Sequence, residues 1–244
     1  MRKKKKKFGY YLYAVVMLIL TIANITIATF LLTYVQKIKV TGTKFGTEAQ
    51  IVSLVKEDPL TANSIYAVLK GKAGAYEVPQ YLESMKVSFD MPWGLHVKVE
   101  EKQAVAGILT NNAYVYFSED GTILSKGAEV LDDVVVVEGA KTKKLVLFEA
   151  IELKNEKLFS YIVSISEELK KNEVTPDRVV WEDDSMNLYF GEICVRLGKM
   201  NFDEKIVQVP PILEKLEGKQ GVLHLEHYNE MSTSISFEEN FEEN

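Results

Sequence analysis

The apolar and polar positions fall into three rhythms along the chain. From Phe8 to Gln36 no residue is charged, and the run is mostly Val, Ile, Leu, Ala, Thr and Tyr. A helix crosses the hydrocarbon core of a bilayer with ~20 apolar residues. No water reaches that core, so the backbone must satisfy its own hydrogen bonds as one continuous helix. The run therefore predicts a transmembrane helix over 8–36, with Tyr10, Tyr11 and Tyr13 near one interface and Tyr34 near the other. The competing reading, a cleaved signal peptide, needs a shorter apolar stretch and a small-x-small cleavage site. After Ala28 the chain reads Thr29-Phe30-Leu31, which offers none. Thr26, Thr29 and Thr33 share one helical face with Asn24 nearby. They either bond a neighbouring helix or, the more ordinary use, bond back to their own helix carbonyls.

The second rhythm, over 37–104, mixes short strands and helices. Lys37-Ile38-Lys39-Val40-Thr41-Gly42 alternates and stops at a glycine, as a strand does. Thr47 caps an expected helix over 48–56, ended by Asp58-Pro59. A second helix is expected over 64–69, broken by Lys70-Gly71-Lys72-Ala73-Gly74, and a further helical turn over 79–85 with Pro79 at its start. Lys86–Asp90 and Leu95–Glu100 both alternate, and Met91-Pro92-Trp93-Gly94 turns between them. The order is β-α-α-β-β, a small sheet with helices on one face.

The third rhythm, over 105–228, is β-rich. Tyr114–Phe117 and Thr122–Leu124 flank Glu119-Asp120-Gly121, a hairpin signature. A buried-type strand is expected over 134–137. Leu158, Ile162, Ile165 and Leu169 make a helical stripe within 156–171. Three strands follow at 178–181, 187–190 and 193–197. A helix is expected over 202–209, kinked or restarted at Pro210-Pro211. Strands over 221–226 and 234–237 close the pattern, the latter in an acidic segment, 229–244. The fold class is a membrane-anchored α+β protein: one transmembrane helix, a β-α-α-β-β domain, and a mixed β-rich domain with two helices.

Charge adds direction. The net charge is −6, yet Arg2 to Lys7 alone carry +6, leaving −12 for the remainder. From Gln220 onward there is no Lys or Arg, and six glutamates. The basic tip, 1–7, is expected to hold the N-terminus in the cytoplasm, with the bulk of the chain outside: a single-pass type II arrangement. The acidic body has no positive field to gather phosphates, so no nucleic-acid partner is expected. A single cysteine excludes an intrachain disulfide framework.

No catalytic, cofactor or metal site is expected. His224 and His227 on one strand point to opposite faces, which suits no shared metal. His96 reads as a solvent-facing strand position and Cys194 as small core filler. No serine sits in a nucleophile elbow, and Gly71-Lys72 lacks the rest of a phosphate loop. The carboxylates cluster in turns and the tail, as a solvated surface does. A cell-wall glycan hydrolase, which needs two carboxylates across a cleft, is the alternative from another class. A third is an export or sensor protein built on the same small domain.

The order of parts resembles the FtsQ/DivIB cell-division family. The residues that carry it are Ile38-Lys39-Val40-Thr41-Gly42, Pro92-Trp93-Gly94-Leu95-His96-Val97-Lys98-Val99-Glu100-Glu101-Lys102, Tyr116-Phe117-Ser118-Glu119-Asp120-Gly121, Val195-Arg196-Leu197-Gly198 with Asp203-Glu204-Lys205, and Gly221-Val222-Leu223-His224-Leu225. The resemblance implies that 37–104 is a POTRA domain and that the protein is a non-enzymatic divisome scaffold in the cell membrane, enriched at the septum. It implies partners of the FtsB/DivIC and FtsL types and, through them, the septal peptidoglycan synthase complex. It also implies a partner strand added to the edge of the late strands. The partner-binding residues carried over are Arg178, Leu223, Leu225, His227 and Tyr228.

Overall fold

The structure is a computed structural model that describes residues 3–91, 93–229, 231 and 234–239, with side chains from Gly9 onward. The side chains of the basic tip, Pro92 in the expected hairpin turn, and much of the acidic tail, including Glu230, Glu242 and Glu243, lie outside the described residues. The chain divides into two compact units, 1–101 and 102–244.

The first unit begins with α1 (Lys3–Leu32), whose apolar part, Gly9–Leu32, has a mean hydropathy of 2.5. Its 24 residues rise about 36 Å, enough for a ~30 Å hydrocarbon core. Thr21, Asn24, Thr26, Thr29 and Thr33 all donate to the carbonyl four residues back, so these polar groups are satisfied within the helix. The helix stops at Leu32, short of Gln36. The reason is tertiary: Val35 N–H donates to the Ala62 carbonyl at 2.7 Å and Gln36 N–H to the Trp93 carbonyl at 2.8 Å.

Then follow β1 (Lys37–Thr41), α2 (Glu48–Lys56), α3 (Ser64–Lys72), β2 (Leu82–Met91) and β3 (Gly94–Glu101). Thr47 and Gln50 form a capping box on α2, and Asn63 caps α3. A 3-10 turn at Pro59–Ala62, capped by Asp58, joins the helices. The sheet order is β1-β3-β2, with β1 parallel to β3 and β2 antiparallel. Ile51, Val55, Ala67, Val68, Val87, Leu95 and Val97 form the buried layer between helices and sheet. The Glu101 carboxylate accepts from the backbone N–H groups of Lys44, Phe45 and Gly46, pinning the loop before α2 to the end of β3.

Two expectations are corrected here. The second helix is not broken at Lys70 but runs through Gly71 to Lys72. A Cβ on Gly71 would lie 3.0 Å from the Val87 Cβ, so glycine lets the helix close on β2. Residues 79–85 form no helical turn: β2 already begins at Leu82, and Tyr81 and Leu82 are buried. Pro79 fits a turn into a strand as readily as a helix start, and burial of Leu82 decided for the strand.

The second unit contains β4 (Ala106–Thr110), β5 (Ala113–Phe117), β6 (Ile123–Gly127), β7 (Val135–Glu138), β8 (Thr142–Lys144), β9 (Glu152–Leu153), α4 (Glu156–Lys171), β10 (Arg178–Glu182), β11 (Ser185–Phe190), β12 (Ile193–Gly198), α5 (Phe202–Ile206), α6 (Val209–Leu213), β13 (Gly221–His224) and β14 (Ser236–Glu239). Nine strands form one sheet in the order β14-β13-β12-β11-β10-β7-β4-β5-β6. α4 lays Leu158, Ile162, Ile165 and Leu169 into the core beside Ile108, Val115, Phe117, Val137, Leu188 and Val195. The apolar helix, the mixed β-rich body and the few helices are those of an anchored α+β protein.

The helix expected over 202–209 is two helices, α5 and α6. Pro210 and Pro211 lie in the first turn of α6, where missing N–H groups cost nothing because those donors have no helical acceptor. β4 has no counterpart in the sequence reading. Its Ala106-Gly107-Ile108 is apolar but does not alternate, as expected where consecutive residues on both faces of the strand are buried.

Candidate functional site

The sheet ends on one side at β14, which pairs antiparallel with β13: Gly221 faces Glu239, Leu223 faces Phe237 and His224 faces Ser236. Among the described residues no strand pairs with the far edge of β14. The other end differs, since residues 148–151 bond back to Gly121 and Ile123 at the start of β6. An uncovered edge offers a row of main-chain donors and acceptors to another chain.

β14 is seated by identifiable contacts. Gly221 has φ +154°, and a Cβ there would lie 2.1 Å from the Glu238 carbonyl oxygen. Only glycine permits that approach. Phe237 packs partly buried on the core. Lys219 Nζ lies 3.6 Å from Glu239 Oε2. His224 lies between two carboxylates, with Nδ1 3.1 Å from Glu226 Oε1 and Nε2 3.6 Å from Glu238 Oε2. These two become ion pairs when the imidazole is protonated.

The turn after β13 is held from beneath by Lys205 of α5. Its buried ammonium donates to the carbonyls of Leu197, Met200 and Glu226 at 2.7, 2.8 and 3.1 Å. All three donors are used, the condition under which a buried charge is tolerable. Burial pushes the Lys205 pKa down.

The five residues carried over from the resemblance occupy different surroundings. Leu223 and Leu225 are core residues, 1% and 0% exposed, so their side chains face inward and only their backbone lies near the edge. His227 is exposed in the turn. Tyr228 is half-buried against the core and lines a shallow cavity of about 210 Å³ with Glu204, Val207 and Gln208. Arg178 lies on β10, three strands from β13 in the sheet order. At ~4.8 Å per strand that is about 14 Å. Its guanidinium makes two hydrogen bonds to Glu138 of β7, at 3.1 and 2.6 Å, and stands 5.4 Å from the Tyr189 ring centroid. The pairing with Arg178 lowers the Glu138 pKa. The structure thus brings His227 and Tyr228 to the edge turn and leaves Arg178 apart from them.

Beside Arg178, the outward positions of β11 and β12 are sparsely satisfied. Asn187 and Arg196 are register partners, and Asn187 Oδ1 and Arg196 Nε are buried without a hydrogen-bond partner. Burial raises the pKa of Cys194 nearby, which keeps its thiol protonated and a poor nucleophile at neutral pH. Among the described residues no group of three or more His, Cys, Asp or Glu is placed to hold a metal ion.

Sequence reading missed Gly221, Lys205 and the His224 carboxylate pair. Lys205 had a signal: it lies beside Ile206, three residues after Phe202, on the apolar side of a short helix. A charge there asks for buried acceptors. The contacts of Gly221 and His224 with Glu238 join β13 to β14 across the turn between them and have no local signature.

No family model matches the chain. A curated relative, the cell division protein DivIB of Clostridium botulinum (strain Hall), is 25% identical over 152 residues, covering 59% of this chain and 59% of the relative. The match thus spans about three fifths of that relative's length. It bears out the resemblance to the FtsQ/DivIB family.

Proposed function

We propose that this chain, similar to a bacterial division protein, is a non-enzymatic scaffold of the divisome that captures a partner strand at the free edge of β14. One apolar N-terminal helix and the division-protein relative fit a membrane-anchored division protein. The relative's name points to a non-enzymatic role. The single observation that carries the docking mode is the edge itself, uncovered among the described residues at the end of a nine-stranded sheet. Strand addition gains affinity from main-chain hydrogen bonds and specificity from alternate side chains.

In this reading the first unit includes a POTRA domain, the basic tip stays in the cytoplasm, and both units work outside it at the septum. The partners are small single-pass proteins of the FtsB/DivIC and FtsL types, through which the septal peptidoglycan synthase is recruited and regulated. Glu238 and Glu239 on β14 and Glu226 in the neighbouring turn make the edge acidic, so a partner strand flanked by Lys or Arg fits it. His227 and Tyr228 sit where such a partner would leave the sheet, and the cavity under Tyr228 takes a side chain. Arg178 reaches the same partner only if it continues across the sheet face. It would then have to give up Glu138.

Co-purification of the full chain with its organism's FtsB/DivIC-type and FtsL-type proteins tests this. Glu238→Lys with Glu239→Lys should weaken capture at least tenfold, and removal of residues 234–244 should abolish it. Unchanged capture by both variants rules out the β14 edge as the docking site.

A further inference from the structure

Six large apolar side chains lie exposed in the first unit where α1 ends. Tyr34, Leu60, Ile65, Phe89, Met91 and Trp93 are between 38% and 63% exposed. Main-chain contacts gather them around the helix exit. Val35 N–H donates to the Ala62 carbonyl, Ser64 N–H to the Thr33 carbonyl, and Gln36 N–H to the Trp93 carbonyl, at 2.7–2.8 Å. The Asn63 amide donates to Thr33 Oγ1 at 2.7 Å. Leu60 and Ile65 flank this 62–64 contact. Phe89 and Met91 pair with Leu95 and Gly94 beside Trp93, and Gly94 also pairs with Lys37 at the start of β1.

The connection from α1 to the sheet is therefore bonded along its length and is no free tether. Tyr34 lies two residues past the last turn of the helix, at most ~7 Å along the chain. A bilayer that holds Gly9–Leu32 must bring its head-group zone to these side chains. We propose that the six residues form a collar that rests in the head-group and upper acyl zone of the leaflet from which α1 emerges, so that the first unit sits on the membrane surface.

The choice of lipid as the occupant follows from three observations. The patch is continuous with the apolar surface of α1, which is exposed along its whole span. Tyr and Trp have the apolar body and polar tip that suit the interface. Exposed Lys37 and Lys39 stand beside the collar, where ammonium groups meet lipid phosphates. Exposed Asp90, next to Met91 at the end of β2, keeps the immersion shallow. A cluster of this kind would otherwise be a solubility liability on a water-facing unit.

The inference goes beyond the scaffold reading and depends on only one part of it, the insertion of α1. Full-length protein in phosphatidylcholine–phosphatidylglycerol vesicles tests it. Trp181→Phe leaves Trp93 as the sole tryptophan. Lipids brominated near the head-group end of the acyl chains should then remove most of its emission, while aqueous iodide removes little. In a Cys194→Ala background, a nitroxide at Met91→Cys should be open to oxygen and shielded from a water-soluble nickel chelate, and one at Val130→Cys the reverse. Iodide quenching of Trp93 equal to that of free tryptophan, or a Met91 label as open to nickel as the Val130 label, overturns the collar. A label at Leu20→Cys separates the two readings. Leu20 buried in lipid with Met91 in water rejects the collar and keeps the anchor, whereas Leu20 in water rejects both.

Discussion

Lys205 and Asp120 show what single side chains contribute and how little of it a sequence displays. Lys205 satisfies three carbonyls, from the end of β12, the loop after it and the turn after β13. Lys205→Met keeps the bulk and leaves those carbonyls unpaired, so the urea midpoint of the second unit should fall by the equivalent of about 2–3 kcal/mol. An unchanged midpoint would mean that water replaces the ammonium. Asp120 was legible as part of a turn, but its partner Lys102 was not, because the two meet only when β4 and β5 pair. Burial pushes the Asp120 carboxyl up, but the Lys102 ammonium, the Ser118 and Thr122 hydroxyls and the Thr122 N–H outweigh it and hold the pKa well below 3.8. A carboxyl held lower in the folded state than in the unfolded one stabilises fully above the unfolded value, and that contribution is lost as pH falls towards the folded value. The urea midpoint of the wild type should therefore exceed that of Asp120→Asn at about pH 7, with the gap narrowing progressively as the pH falls below the unfolded value. A gap independent of pH would assign the loss to packing.

At the scale of elements, strong periodicity was read well and pairing was not. The stripe on α4 gave its span and its buried face, and β10, β11 and β12 emerged close to the expected positions because each alternates between polar turns. β4 was missed because its first three residues are all buried, and a strand covered on both faces need not alternate. The split of 202–213 into α5 and α6 turned on Pro210 and Pro211, residues that either end a helix or open one. The tail strand was placed two residues early, and nothing local showed that it covers β13. That contact depends on Gly221, whose missing Cβ makes room for the Glu238 carbonyl. Gly221→Ala should release β14 and leave the β12–β13 pairing in place. Amide exchange would then rise at residues 236–239 and stay slow at 193–197. Equal protection in both proteins would mean that the strand tolerates the shift.

For the whole molecule, the two units bury separate cores, the first around Ile51, Leu95 and Val97 and the second around Phe117, Ile162 and Leu188. Phe117→Ala, at a position with no exposure, should destabilise the second unit by about 3–5 kcal/mol. The slow-exchanging amides of β2 and β3 should keep their protection. Loss of protection in both units together would show one cooperative body. The sequence by itself determined the apolar helix, the charge split, the β-rich character of the remainder and the family resemblance, since each is written in local composition, period or motif order. Tertiary structure alone decided that α1 stops at Leu32, that Leu223 and Leu225 face the core, that Arg178 stands three strands from β13, and that β14 pairs with β13. Those facts depend on which backbone groups find partners far along the chain, and local periodicity does not encode them.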